Sequence, residues 1–124
     1  MRVKTLLLLA IIAGVFFTVY LYTVKSPHLV TAEQAKMLIQ QNKIDVVLDV
    51  RTKMEYNLGH YPEALHIPTG VLNEQVETLI PDKNTRILIY CNTGQRARYA
   101  TDLLKAKGYK SVKYIAGSYM GLLR

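Results

Sequence analysis

Arg86-Ile87-Leu88-Ile89-Tyr90-Cys91-Asn92-Thr93-Gly94-Gln95-Arg96 is the stretch on which the fold turns. Its first five residues form a short apolar run that reads as a buried strand. The run ends on the one cysteine of a 124-residue sequence. Asn92, Thr93, Gly94 and Gln95 suit a loop better than a core. From about Gln95 to Lys107 the pattern turns helical, with Ala97, Ala100, Leu103 and Leu104 on one face and Gly108 as the stop. A strand, a tight loop and a helix in that order bring backbone N–H groups and the positive end of a helix dipole to one point, and there the sequence puts a sulfur.

Free cysteine is often inert packing. The polar residues that follow Cys91 argue for a reactive one, because amide donors, the dipole and Arg96 all favour thiolate over thiol. Cys91 is therefore the expected nucleophile, and the amides of Asn92, Thr93, Gly94, Gln95 and Arg96 the expected anion cradle. Gly94 supplies a backbone shape that other residues resist, and Arg96 is the expected cation for loop and anion.

Outward from this stretch, strands and helices alternate. His28 to Val30 reads as a short strand, and Thr31 with Gln34 as a capping box for a helix reaching Gln41. Ile44 to Val50 is an apolar strand whose carboxyl end carries Asp49 and Arg51, which are expected to brace neighbouring loops in support of the site, the alternative for Arg51 being a direct reach to substrate. A brief helix near Lys53 to Leu58, a strand around Ala64 to Ile67, and a helix from Val71 to Leu79 ended by Pro81 come next. Val112 to Ile115 is the last strand. Such βα alternation predicts an α/β fold, a largely parallel sheet with helices on both faces. His60, in a turn before Pro62, reads as a packed histidine rather than a base.

Cys91, Gly94 and Arg96 match Cys-x-x-Gly-x-Arg, and the chain resembles the rhodanese, or sulfurtransferase, family in this loop. Leu48-Asp49-Val50-Arg51 with Glu55-Tyr56 resembles that family's first signature. Gly59-His60-Tyr61-Pro62-Glu63-Ala64 with Ile67-Pro68 resembles its Gly-His-Ile-Pro-Gly-Ala element. The resemblance covers roughly residues 28 to 122. It implies a small rhodanese-like domain with a central five-stranded sheet, and a Cys91 persulfide that moves sulfane sulfur from a small anionic donor such as thiosulfate to a thiol or cyanide. A partner protein could present that thiol. The same residues would also serve a carrier or redox sensor that holds a persulfide without turnover. Two departures stand out. Glu63 replaces a common glycine, implying a slightly different turn, and Gly117 to Leu122 lacks the family's tryptophan. Related phosphatases and arsenate reductases look like Cys-x5-Arg, whereas Cys91 and Arg96 are one residue closer, a ring better sized for one sulfur than for phosphate.

Residues 5 to 24 hold no charge and a dozen Leu, Ile, Val and Phe. That length suits a helix crossing about 30 Å of hydrocarbon. Residues 1–25 are accordingly expected to be a retained transmembrane anchor, the competing reading being a signal segment, and residues 28–124 the domain. Thr18 to Lys25 shows no small-x-small cleavage pattern. Arg2 and Lys4 precede the run and Lys25 follows it, which predicts a cytoplasmic N-terminus and a domain on the translocated side of a single-pass membrane protein.

The net charge of +7 falls by two to +5 without Arg2 and Lys4. Lysines mix with acids except for a mild cluster at Lys105, Lys107, Lys110 and Lys113, read as a solvated helix end and strand flank that can also meet anionic headgroups. No aromatic RNA-binding motif accompanies it, so nucleic acid is not an expected partner. One cysteine excludes an internal disulfide, and no Cys/His array suggests a metal or cofactor.

Overall fold

A computed structural model describes residues 2–23 and 26–123, with nothing beyond backbone for residues 22 and 23. Lys25 therefore lies outside the described residues. The elements run α1 (Val3–Thr23), β1 (Leu29–Val30), α2 (Ala32–Gln40), β2 (Val46–Asp49), α3 (Lys53–Leu58), β3 (Leu65–His66), α4 (Thr69–Leu79), β4 (Arg86–Tyr90), α5 (Gln95–Ala106) and β5 (Ser111–Ile115), followed by a 3-10 turn at Tyr119–Leu122. All strand pairs are parallel, in the order β1-β5-β4-β2-β3. This is the α/β architecture the alternation predicts.

The strand order decides where a site can form. After β2 the chain leaves for β3 on one side, and after β4 it leaves for β5 on the other. The two connections diverge from neighbouring strands and open a crevice above the carboxyl ends of β2 and β4. Asp49 ends β2 and Cys91 follows β4. Two residues 42 positions apart in sequence are thereby set side by side.

Every residue of β4 from Ile87 to Tyr90 is buried, as a central parallel strand should be. Its alternation splits the core in two. Ile87, Ile89 and Cys91 join Leu72 and Val76 of α4 and Ala97, Ala100 and Leu104 of α5. Leu88 and Tyr90 join Ala35 of α2 and Leu122 on the other face. The helices thus cover both faces, and the period of two carries Cys91 to the α5 side.

Local signals act as expected at several ends. Thr31 and Gln34 form both halves of a capping box on α2, and Thr52 with Glu55 repeats it on α3; each is worth about 1 kcal/mol. Past α5, Gly108 takes φ +96° and its N–H and that of Tyr109 return to Lys105 and Leu104. α4 starts at Thr69, two residues earlier than the sequence pattern suggested, with extended Pro68 as the N-cap residue whose carbonyl accepts the Val71 N–H at 3.0 Å. Glu63 adopts φ +69°, the left-handed region that favours glycine. The turn keeps a glycine-like backbone and bears the cost of a side chain. Where tryptophan was absent from the pattern, Tyr119 packs 5.9 Å from the Tyr90 ring, and Leu122 is buried.

α1 stands apart in character. Its Leu, Ile, Val and Phe side chains are exposed, Phe16 at 71%. Val3–Leu21 is long and apolar enough to cross a membrane.

Candidate active site

Cys91 is 1% exposed and belongs to the apolar cluster under α4 and α5. It is nevertheless not sealed in hydrocarbon. Sγ accepts the N–H of Gly94 at 3.1 Å and that of Ala97 at 3.3 Å. Among the described residues, the amides of Asn92, Thr93, Gln95 and Arg96 find no acceptor in the chain. The last two are orphan donors of the first turn of α5, the positive end of that helix. Asn92, Thr93 and Gln95 are exposed above the sulfur. Of the five amides expected to cradle an anion, then, only Gly94 touches Sγ itself. Ala97 is a sixth that the sequence reading omitted, and the other four remain available to whatever lies beyond the sulfur.

Gly94 shapes this arrangement. It sits at φ +100°, ψ −18°, and a Cβ built there would lie 2.9 Å from the Cα of Ala116. Both the conformation and the space exclude a side chain. The loop is therefore pressed against the exit of β5, a contact no local pattern announces.

A charged lattice holds the loop from the other side. Asp49, fully buried, accepts from Arg51 Nε at 3.1 Å and Nη2 at 2.7 Å, and from the Tyr90 hydroxyl at 2.5 Å. Burial, then the Asp49 contact, pushes the Tyr90 hydroxyl pKa up, so it remains a donor. Arg51 also donates to the Gly59 carbonyl at 2.6 Å and to Asn92 Oδ1 at 3.5 Å, and lies 5.3 Å from the centroid of the Tyr119 ring. It is 5% exposed.

Arg96 is engaged more fully than expected. Its two terminal nitrogens bind the Glu55 carboxylate at 2.7 and 2.9 Å, and Asn92 Nδ2 donates to the same carboxylate at 2.6 Å. The Arg96 hydrogen bonds, followed by the Thr52 amide, hold the Glu55 carboxyl well below the usual carboxylate range. Arg96 was expected to hold the loop and an anion, and its guanidinium is bound to Glu55, the carboxylate that also holds Asn92 of the loop. The two guanidiniums are matched by two carboxylates, and Cys91 meets backbone donors, the helix end and the nearby charge of Arg96.

Glu55 was absent from the expected site residues. Its signal was legible as the capping box Thr52-x-x-Glu55 just after Arg51. The sequence could not tell that one carboxylate caps α3 and also clamps Asn92 and Arg96. His60 is packed: Nδ1 lies 2.8 Å from the Tyr56 carbonyl and the ring stacks on Tyr56 at 3.7 Å. His66 stacks on the same ring at 4.3 Å. A depression lined by Thr69, Gly70, Gln95, Arg96 and Tyr99 opens beside the loop.

A switch-point crevice and a sulfur under converging amides narrow the families to consider, and the Rhodanese-like domain family matches residues 31–124. The chain belongs to the rhodanese family. Its rhodanese domain is 34% identical over 70 residues to the thiosulfate sulfurtransferase PspE of Escherichia coli K12, covering 56% of this chain and 67% of that one. It is 35% identical over 88 residues to a tRNA uridine(34) hydroxylase of Buchnera aphidicola, covering 68% of this chain. The match spans only 28% of the hydroxylase's length. Among solved structures, the human single-domain sulfurtransferase TSTD1 superposes with a TM-score of 0.67 at 25% identity, over 77% of this chain and 95% of that one.

Proposed function

We propose that this rhodanese-family chain is a membrane-anchored sulfurtransferase that carries sulfane sulfur on Cys91. The observation that carries the reading is the pair of N–H bonds to Sγ, with four further loop amides left without acceptors. A ring of fixed dipoles suits a site that must hold negative charge first on one sulfur and then on the next, at no cost of reorganisation.

With thiosulfate as donor, the Cys91 thiolate attacks the outer sulfur. A sulfur–sulfur bond forms to Sγ, the bond to the sulfite sulfur breaks, and sulfite leaves with the electron pair. The terminal persulfide sulfur then lies among the amides of Asn92, Thr93, Gln95 and Arg96. A thiolate or cyanide attacks that terminal sulfur, the persulfide bond breaks, and its electron pair returns to Sγ as thiolate. Two displacements on one nucleophile give ping-pong kinetics. Asp49, Arg51 and Glu55 act through the loop and touch no reacting atom.

The relatives named for tRNA hydroxylation share only this domain-sized portion, so hydroxylation is not proposed. The length and composition of α1 support a retained single-pass anchor, and Arg2 and Lys4 before it support a cytoplasmic N-terminus with the domain translocated. Protease protection in sealed vesicles tests that sidedness.

The decisive assay is thiocyanate formation from thiosulfate and cyanide. The wild-type chain is expected to turn over and to gain about 32 Da on Cys91 when loaded with donor; Cys91→Ser is expected to do neither. Loading without turnover would make the chain a persulfide carrier. No loading and no turnover would end both readings.

A further inference from the structure

The chain enters the domain at its sheet edge. His28 O accepts the N–H of Tyr114 at 3.0 Å, and Ser26 O accepts that of Leu29 at 3.2 Å, so the segment just after α1 is tied to β5. Only two residues, 24 and 25, separate the end of α1 from Ser26. Such a link reaches about 10 Å. If α1 spans a bilayer, the surroundings of His28 therefore stand close to its headgroups.

Those surroundings are basic. Burial and then the charge of Lys105 push the His28 pKa down, with Lys113 adding to it and Asp102 opposing. Lys105 donates to the Lys110 carbonyl at 3.1 Å, so the two lysines lie together where α5 hands over to β5. Among the described residues, Lys105, Lys110 and Lys113 make no ion pair. Their neighbours differ: Lys83 and Lys107 share Glu77 at 2.9 and 3.0 Å. The active loop lies at the opposite end of α5, about 15 Å along the helix from Lys105.

We propose that Lys105, Lys110 and Lys113 form a docking surface for anionic lipid headgroups, which fixes the tethered domain with its active loop turned away from the bilayer. The inference rests on reading α1 as a retained anchor. A tether alone would leave the domain free to tumble, whereas several cations within a Debye length of an anionic surface favour one orientation.

The full chain is reconstituted into phosphatidylcholine vesicles and into vesicles that also contain phosphatidylglycerol, floated, and treated with a membrane-impermeant acetylating reagent. Lysine labelling is read by mass spectrometry. Lys105, Lys110 and Lys113 are expected to label severalfold more slowly with phosphatidylglycerol present and to recover at high salt, while exposed Lys53 on α3 labels equally in both. Co-flotation with equal labelling at the three lysines in both lipids would overturn the docking surface and leave the anchor standing. Failure to float would overturn the anchor, and the docking surface with it. Protection of the three lysines by added tRNA in phosphatidylcholine vesicles, with none from phosphatidylglycerol, would assign the face to nucleic acid and overturn the lipid proposal.

Discussion

The two ends of α5 treat positive charge in opposite ways. At the N-terminal end, Arg51 and Arg96 are each held by a carboxylate, the buried Asp49 and the partly exposed Glu55. At the C-terminal end, Lys105 and Lys110 stand without a carboxylate partner among the described residues. The net charge of +7 thus says little about the catalytic loop, whose cations are spent on geometry. It says more about the far end, where unpaired cations can act on a partner surface. The donors that reach Cys91 Sγ are backbone amides, which composition does not count.

The largest effect expected from this contrast is at Asp49. Asp49→Ala would leave Arg51 buried without its counter-charge and the Tyr90 hydroxyl without its acceptor, a loss of about 3–5 kcal/mol in denaturant unfolding. A loss under about 1 kcal/mol would show that the lattice is not what holds this end together.

Glu55→Gln should be milder for stability, about 1 kcal/mol or less because the pair is partly exposed, but severalfold damaging to sulfur transfer as Asn92 and Arg96 lose their shared clamp. The pH dependence has a definite sign. The folded Glu55 carboxyl titrates below its free value near 4.5, so on acidification the unfolded chain takes the proton first. Its contribution is complete above that value and drains away as pH falls below it towards the depressed folded pKa. The wild-type chain should therefore lose more stability than Glu55→Gln between neutral pH and about 3. Parallel acid curves for the two would remove Glu55 from the account.

The smallest effect belongs to the other end. Lys105→Gln combined with Lys110→Gln should change unfolding stability by no more than about 0.5 kcal/mol and leave thiosulfate turnover as it was. A large loss of stability would mean that these lysines serve the fold rather than a surface.

Much of the fold was readable from local chemistry. The Thr31–Gln34 cap, the Gly108 stop and the strand at Arg86–Tyr90 are set by propensities and patterns that act over a few residues. The identity of Cys91 as the reactive candidate was readable for the same reason, since a polar glycine-bearing loop between strand and helix is a local event. Glu55 escaped because its second task is performed 41 residues away, at Arg96. Ala97 escaped because an alanine advertises nothing, and its contribution is an amide aimed by the first turn of α5.

Sequence alone thus determined the alternating elements, the apolar N-terminal run and the sulfur at the mouth of a helix, each a matter of side-chain type and spacing along the chain. Only the tertiary structure decided that Gly94 must lie against Ala116, that Glu55 cancels the charge of Arg96, and that the segment after α1 enters beside unpaired lysines. Those facts depend on which distant strands become neighbours, and the order β1-β5-β4-β2-β3 arises from burial shared across the whole sheet rather than from any one segment of it.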